Sequence, residues 1–202
     1  MRKITFITLA VILCITLSGC EIIAEKPQEK RIFMLSAGLD YKGTGASILK
    51  GTVNDQKAMI SQMAYLAAKE TTSFHSVAVT GENGICSIAT YSKDAGETEA
   101  VQTNCRIGRD ELKTVILEEL DKLAGRIQPS DIFIFYYAGH GIECSDEGKE
   151  YLNGALVLDY FDTVPSIGYW YNDSRNLQKI ISLPELESAV SMMKGEKIII
   201  LD

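Results

Sequence analysis

The sequence predicts an α/β fold built on a mostly parallel sheet with helices on both faces. Two observations carry that prediction. Apolar strands and amphipathic helices alternate along the chain, the order that wraps helices around a parallel sheet. The two strongest strands, "IFIFYY" (132–137) and "KIIIL" (197–201), do not alternate apolar with polar residues, so both of their faces should be covered.

Each element has its own signal. "RIFMLSAGL" (31–39) is a near-continuous apolar strand, followed by the glycine- and lysine-containing loop "DYKGTGASILKG" (40–51). In "NDQKAMISQMAYLAAKE" (54–70), Met59, Met63, Leu66 and Ala67 fall at helical spacing. "SVAVT" (76–80) is a short strand. "RDELKTVILEELDKLAG" (109–125) places Leu112, Val115, Ile116, Leu120 and Leu123 on one stripe, with acids in the first turn and Gly125 as a stop. "GALVLD" (154–159) reads as part of a short hairpin. In "SLPELESAVSMMKG" (182–195), Ser182 and Glu185 have the spacing of a capping box, Pro184 sits in the permitted first turn, and Gly195 ends the helix.

Between these elements, "ICSIATYSKDAGETEAVQTNCRI" (85–107) reads as an antiparallel hairpin inserted at 81–108. A turn centred on Ala95-Gly96 would set Cys86 opposite Cys105, Ile88 opposite Thr103 and Thr90 opposite Val101. Directly opposed residues lie about 4.5–5.5 Å apart, within disulfide range, so a Cys86–Cys105 bridge is expected. Cys144 would remain a free thiol.

The first twenty residues do not belong to this fold. "MRK" is a basic start, "ITFITLAVILCIT" an apolar run, and "LSGC" a small-residue close. That is the form of a secretory leader, and the run is shorter than the roughly 20 residues a membrane span needs. "LSGC" resembles the lipobox of bacterial lipoproteins, which implies a lipid on Cys20. Residues 21–30 would then tether the domain to a membrane on the extracytoplasmic side of the bacterial envelope. An exported protein can also keep disulfides. The net charge is −7, and it becomes −9 once Arg2 and Lys3 leave with the leader. Such an acidic surface argues against nucleic acid as a partner.

The chain has only two histidines. One of them, His140, is flanked by glycines just past an apolar strand, and Asp202 stands just past another. In α/β sheets, ligands and catalytic groups gather beyond the carboxyl ends of the strands. A connection long enough for a crossover helix would bring both tips into one cleft. The bland alternative is a histidine that merely closes a glycine turn.

"DIFIFYYAGHG" (131–141) resembles the histidine motif of caspase-like cysteine peptidases, in particular the metacaspase and bacterial branch. "KGTVNDQKAM" (50–59) resembles the start of that family's first helix. "SLPELESAVSMMKGEKIIILD" (182–202) resembles the helix and strand that lead into its Asp-x-Cys nucleophile motif. The resemblance implies a caspase-like three-layer fold over 31–202, with further C-terminal strands beyond the sequence. It implies His140 as general base, Gly141 as an oxyanion N–H donor, and a nucleophilic cysteine two residues past Asp202. It also implies an acidic pocket from Asp55 and Asp202 that receives Arg or Lys of a peptide or protein substrate. Asp55 has an alternative reading as a helix N-cap. Ala138 stands where the family often has serine, which weakens the expected Arg/Lys preference.

No cofactor is expected. Some metacaspases respond to calcium, but the acids of "SDEGKE" (145–150) and "LDYFDT" (158–163) lack the spacing of a ligand loop. The expected activity is therefore endopeptidase cleavage by a Cys-His dyad. The alternative is an inactive caspase-like lipoprotein that serves as a binding or scaffold module. A serine hydrolase is disfavoured because no Gly-x-Ser-x-Gly elbow occurs.

Overall fold

The computed structural model describes residues 29–143, 154–159 and 174–202. Strand β1 (Arg31–Leu39) leads through a loop to helix α1 (Thr52–Lys69) and strand β2 (Ser73–Glu82). The hairpin β3 (Ile85–Lys93) and β4 (Val101–Ile107) follows, then a short 3₁₀ turn and helix α2 (Leu112–Arg126). Strand β5 (Ile132–Ala138) precedes three short strands, β6 (Gly141–Ile142), β7 (Ala155–Val157) and β8 (Ile180–Ser182). The one-turn helix α3 (Ser174–Leu177) lies before β8, and helix α4 (Leu183–Ser191) runs into β9 (Glu196–Leu201).

Six strands form the main sheet in the order β4-β3-β2-β1-β5-β9. Strands β2, β1, β5 and β9 are mutually parallel, while β3 and β4 extend the β2 edge antiparallel. Strands β6, β7 and β8 make a separate antiparallel sheet of three. "GALVLD" is thus the middle of a three-stranded sheet that begins at the glycine after His140.

Helix α1 covers one face of the main sheet, against Met34, Phe74, Ile134, Tyr136 and Ala138. The other face, with Phe33, Leu35, Phe133, Phe135 and Tyr137, packs against the Leu112, Ile116, Leu120 and Leu123 stripe of α2 and against Leu186 and Val190 of α4. Burying such a side chain is worth about 1.5–3 kcal/mol, and β5 buries every residue from Phe133 to Ala138. That double coverage is why "IFIFYY" shows no alternation. Strand β9 departs from the expectation of two covered faces. It is the sheet edge, and Ile198, Ile199 and Leu201 are 39%, 46% and 47% exposed. Gly125 does not stop α2, which runs one residue further and ends on an extended Ile127. Ser182 does cap α4: its side chain accepts from the Glu185 N–H at 3.2 Å.

The hairpin register corrects the expected disulfide. Ser92 pairs with Val101, Thr90 with Thr103, Ile88 with Cys105 and Cys86 with Ile107. The 94–97 turn forms, with the Glu97 N–H on the Asp94 carbonyl and Gly96 at φ 80°, but residues 98–100 extend the loop. The longer loop slides the pairing by two positions, so the cysteines sit diagonally. Both are free thiols, Cys86 buried and Cys105 exposed. No helix among the described residues is long and apolar enough to cross a membrane. Cys20 and Cys144 lie outside the described residues.

Candidate active site

The tips of β5 and β9 meet. Register pairs Tyr137 with Leu201, and one residue on the Asp202 N–H donates to the Tyr137 carbonyl at 2.8 Å. The Gly139 N–H then donates to the Asp202 carbonyl at 3.2 Å. The glycine-histidine turn and the end of β9 therefore form one rim. Beside it opens a cleft of about 510 Å³, lined in part by Gly139, Gly141, Ile142, Leu183, Leu201 and Asp202.

The His140 imidazole is oriented on two sides. Its Nε2 lies 2.8 Å from the Ser47 carbonyl oxygen. A carbonyl only accepts, so Nε2 carries the hydrogen, and in the neutral ring Nδ1 is then the nitrogen with the lone pair. The Tyr41 ring packs against it with centroids 4.6 Å apart. Ser47 and Tyr41 both come from the loop after β1, which is pinned by the Thr52 hydroxyl donating to the Leu39 carbonyl at 2.9 Å.

Tyr41 itself is unusual. It is buried yet takes φ 59°, the left-handed region that bulky residues avoid, at a cost of about 1–3 kcal/mol. Its hydroxyl accepts the His140 N–H at 2.8 Å and contacts the Val157 carbonyl. The Tyr137 hydroxyl stands 2.9 Å from it, 2.6 Å from the Val157 carbonyl and 2.8 Å from the His140 carbonyl. Burial pushes both phenols above their ordinary range, Tyr137 well above it, so both hydroxyls keep their protons at neutral pH. Gly139 is required here because a Cβ would fall 2.6 Å from each hydroxyl oxygen.

On the α1 face, the Tyr136 hydroxyl donates to the Asp202 carboxylate at 3.1 Å. Burial, that bond, and then the charges of Asp202 and Asp55 push Tyr136 up to about 12. Both predicted pocket acids thus act on one phenol. Asp55 is exposed and is not the helix cap: Gly51 is, at φ 121°, with no side-chain capping bond. The Asp55 carboxylate lies over Gly51, 3.3 Å from where a Cβ would stand. Gln56, the next residue, is buried and crosslinks helix to sheet. Its Nε2 donates to the Ser36 carbonyl, the Ser36 hydroxyl and the Val79 carbonyl at 3.0–3.1 Å, and its Oε1 accepts from Thr80. Gly38 leaves the room this amide occupies, since a Cβ there would sit 2.7 Å from Gln56 Oε1.

Gly141 completes the rim. The Val157 N–H donates to the His140 carbonyl at 2.9 Å, which makes His140 and Val157 a hydrogen-bonded pair. Gly141 and Leu156 pair next, and alternation turns the Gly141 N–H away from β7. Cys86 and Cys105 lie on the hairpin at the opposite side of the sheet from β9, and burial pushes the Cys86 thiol up, away from thiolate character. Among the described residues no group of three or more metal-ligating side chains gathers. Asp159 pairs with Arg109 at 3.5 Å, and the 145–150 acids lie outside the described residues.

A search of curated proteins found no match. A family model, the caspase domain, matches residues 38–202. The chain belongs to the caspase-domain family. The match runs from the end of β1 to Asp202, so every element that builds the rim lies within the caspase domain, whose members are cysteine peptidases.

Sequence reasoning missed Tyr41, Ser47, Gln56 and Tyr136. Ser47 acts through its backbone, which leaves no residue-type signal. Gln56 has one signal in the sequence: it is polar, yet it stands one turn from Thr52 and Val53, near the apolar stripe.

Proposed function

We propose that this caspase domain is the front part of a cysteine endopeptidase that cleaves after Arg or Lys. His140 acts as general base, with Nδ1 taking the thiol proton. Gly141 supplies an N–H to the developing oxyanion. The nucleophile is a cysteine two residues beyond Asp202, and a two-residue segment reaches at most about 7 Å. The pairing of the β5 and β9 tips is the observation that carries this reading, because it keeps such a cysteine within reach of the imidazole.

Asp55 and Asp202 together favour a guanidinium or ammonium group, and exclusion of water by a bound peptide strengthens the attraction. Tyr136 shares the α1 face of β5 with Ala138, and its hydroxyl on Asp202 offers a donor that Ala138 lacks. The lipobox reading places this activity on the outer side of a bacterial membrane, tethered through Cys20.

The test uses the intact protein. Peptides bearing Arg, Lys or Asp before the scissile bond are incubated with the wild type and with His140→Ala. The expected result is cleavage after Arg or Lys, reduced at least about 10³-fold in the variant, and loss of detergent-phase partitioning in Cys20→Ser. An intact protein with another residue at the nucleophile position, and no hydrolysis, would overturn the peptidase reading and favour the scaffold alternative.

A further inference from the structure

The β6–β7 ladder contains an irregularity at the histidine. A hydrogen-bonded antiparallel pair exchanges two N–H to carbonyl bonds. His140 and Val157 exchange one, from the Val157 N–H to the His140 carbonyl at 2.9 Å. The reciprocal bond is replaced by a side chain. The His140 N–H donates to the Tyr41 hydroxyl at 2.8 Å, and that hydroxyl contacts the Val157 carbonyl. A phenol oxygen from the loop after β1 is thus wedged into the ladder that begins at the catalytic turn.

We propose that Tyr41 is a positioning residue for His140: its hydroxyl, inserted between the His140 N–H and the Val157 carbonyl, sets the backbone of the histidine while its ring supports the imidazole. The proposal rests on the reading of His140 as general base. Three features converge on it. The ring lies 4.6 Å from the imidazole by centroids. The left-handed backbone at Tyr41 aims a buried side chain at that point. Gly139, with no Cβ, leaves space for the two phenolic oxygens.

Without the hydroxyl, the ladder partner left to the His140 N–H is the Val157 carbonyl, at about 2.9 Å. The ladder closes by the width of an oxygen and the histidine moves with it. A misplacement on the order of 1 Å at a reacting group can cost about 10²-fold.

The experiment compares wild type, Tyr41→Phe and Gly139→Ala in the intact protein. Gly139→Ala is the second variant because it displaces the same hydroxyls without removing a ring. Two readouts are taken: kcat and KM on an Arg peptide, and long-range ¹⁵N–¹H spectra of the two imidazoles. Expected are a 10- to 100-fold fall in kcat with KM within about threefold, and loss of the single Nε2–H tautomer at His140 while the His75 pattern stays unchanged. The second histidine is the internal control, since a general loosening of the fold would alter both. Wild-type kcat in both variants, or an unchanged His140 tautomer in both, overturns the proposal. If the wild type itself cleaves nothing, the peptidase reading fails, and the imidazole spectra alone decide the positioning role.

Discussion

At the scale of single residues, the site depends on hydroxyls as much as on charges. Tyr136 shows this best. Its proton is held by burial and by two nearby carboxylates, so it remains a donor to Asp202 across the physiological range. Tyr136→Phe keeps the ring that packs under α1 and removes only the donor. A net hydrogen bond of this kind is worth about 0.5–1.5 kcal/mol, more when the acceptor is charged. The expected result is a three- to tenfold change in KM for Arg peptides with kcat nearly constant, checked by steady-state kinetics. An unchanged KM would separate Asp202 from substrate binding. The place of His140 and Asp202 at neighbouring strand tips was legible in the sequence, because glycines and the ends of apolar runs mark it. Tyr41 and Tyr136 were not, because a tyrosine in an apolar run or a loop gives no sign of where its oxygen will point.

At the scale of elements, the position of α1 decides where Asp55 stands, and Gln56 decides the position of α1. Its amide bonds the carbonyls of β1 and β2 from the helix side. Gln56→Leu would leave buried carbonyls and the Thr80 hydroxyl without this partner, each unsatisfied group costing about 1–3 kcal/mol. A loss of about 2–4 kcal/mol in denaturant unfolding is expected, with weaker Arg-peptide binding but an intact His140 tautomer. Strands and helices were readable at this scale, since apolar runs and stripes report burial directly. β2 proved longer than "SVAVT" because it pairs on both sides, with β1 and β3. The hairpin register was not readable. Faces alternate with period two, so a slip of two residues leaves every side chain on its own face, and only the 98–100 extension of the loop, invisible to pattern, fixes the pairing.

At the scale of the whole molecule, the two rims of the sheet serve different ends. The carboxyl rim holds the glycine-histidine turn, and the amino rim is a charge cluster that ties β1, β2 and β5 together. There Arg31 pairs with the buried Asp131 at 2.7 Å, and the Gln128 N–H donates to the same carboxylate at 2.8 Å. His75 stacks on Phe33 at 4.9 Å, with its Nδ1 2.7 Å from the Ser92 hydroxyl and Nε2 3.5 Å from Asp94. Burial, then the cations Arg126 and Arg31, hold His75 below its usual 6.5 against the pull of Asp94 and Asp131. Burial pushes Asp131 up, but the bonds from Arg31 and Gln128 outweigh it and leave the carboxyl below its usual 3.8. Both signs agree. A histidine depressed in the fold binds its proton more readily when unfolded, so its contribution falls as pH drops below about 6.5 toward its folded value. A depressed carboxylate loses its contribution lower, as pH drops below about 3.8. Acidification should therefore lower Tm in two steps. His75→Phe preserves the stack on Phe33 and removes the first titration, so between pH 7 and pH 5 its Tm should stay nearly flat while that of the wild type falls. Parallel curves over that interval would show that His75 stays protonated alike in both states and that the amino rim does not sense acid through it.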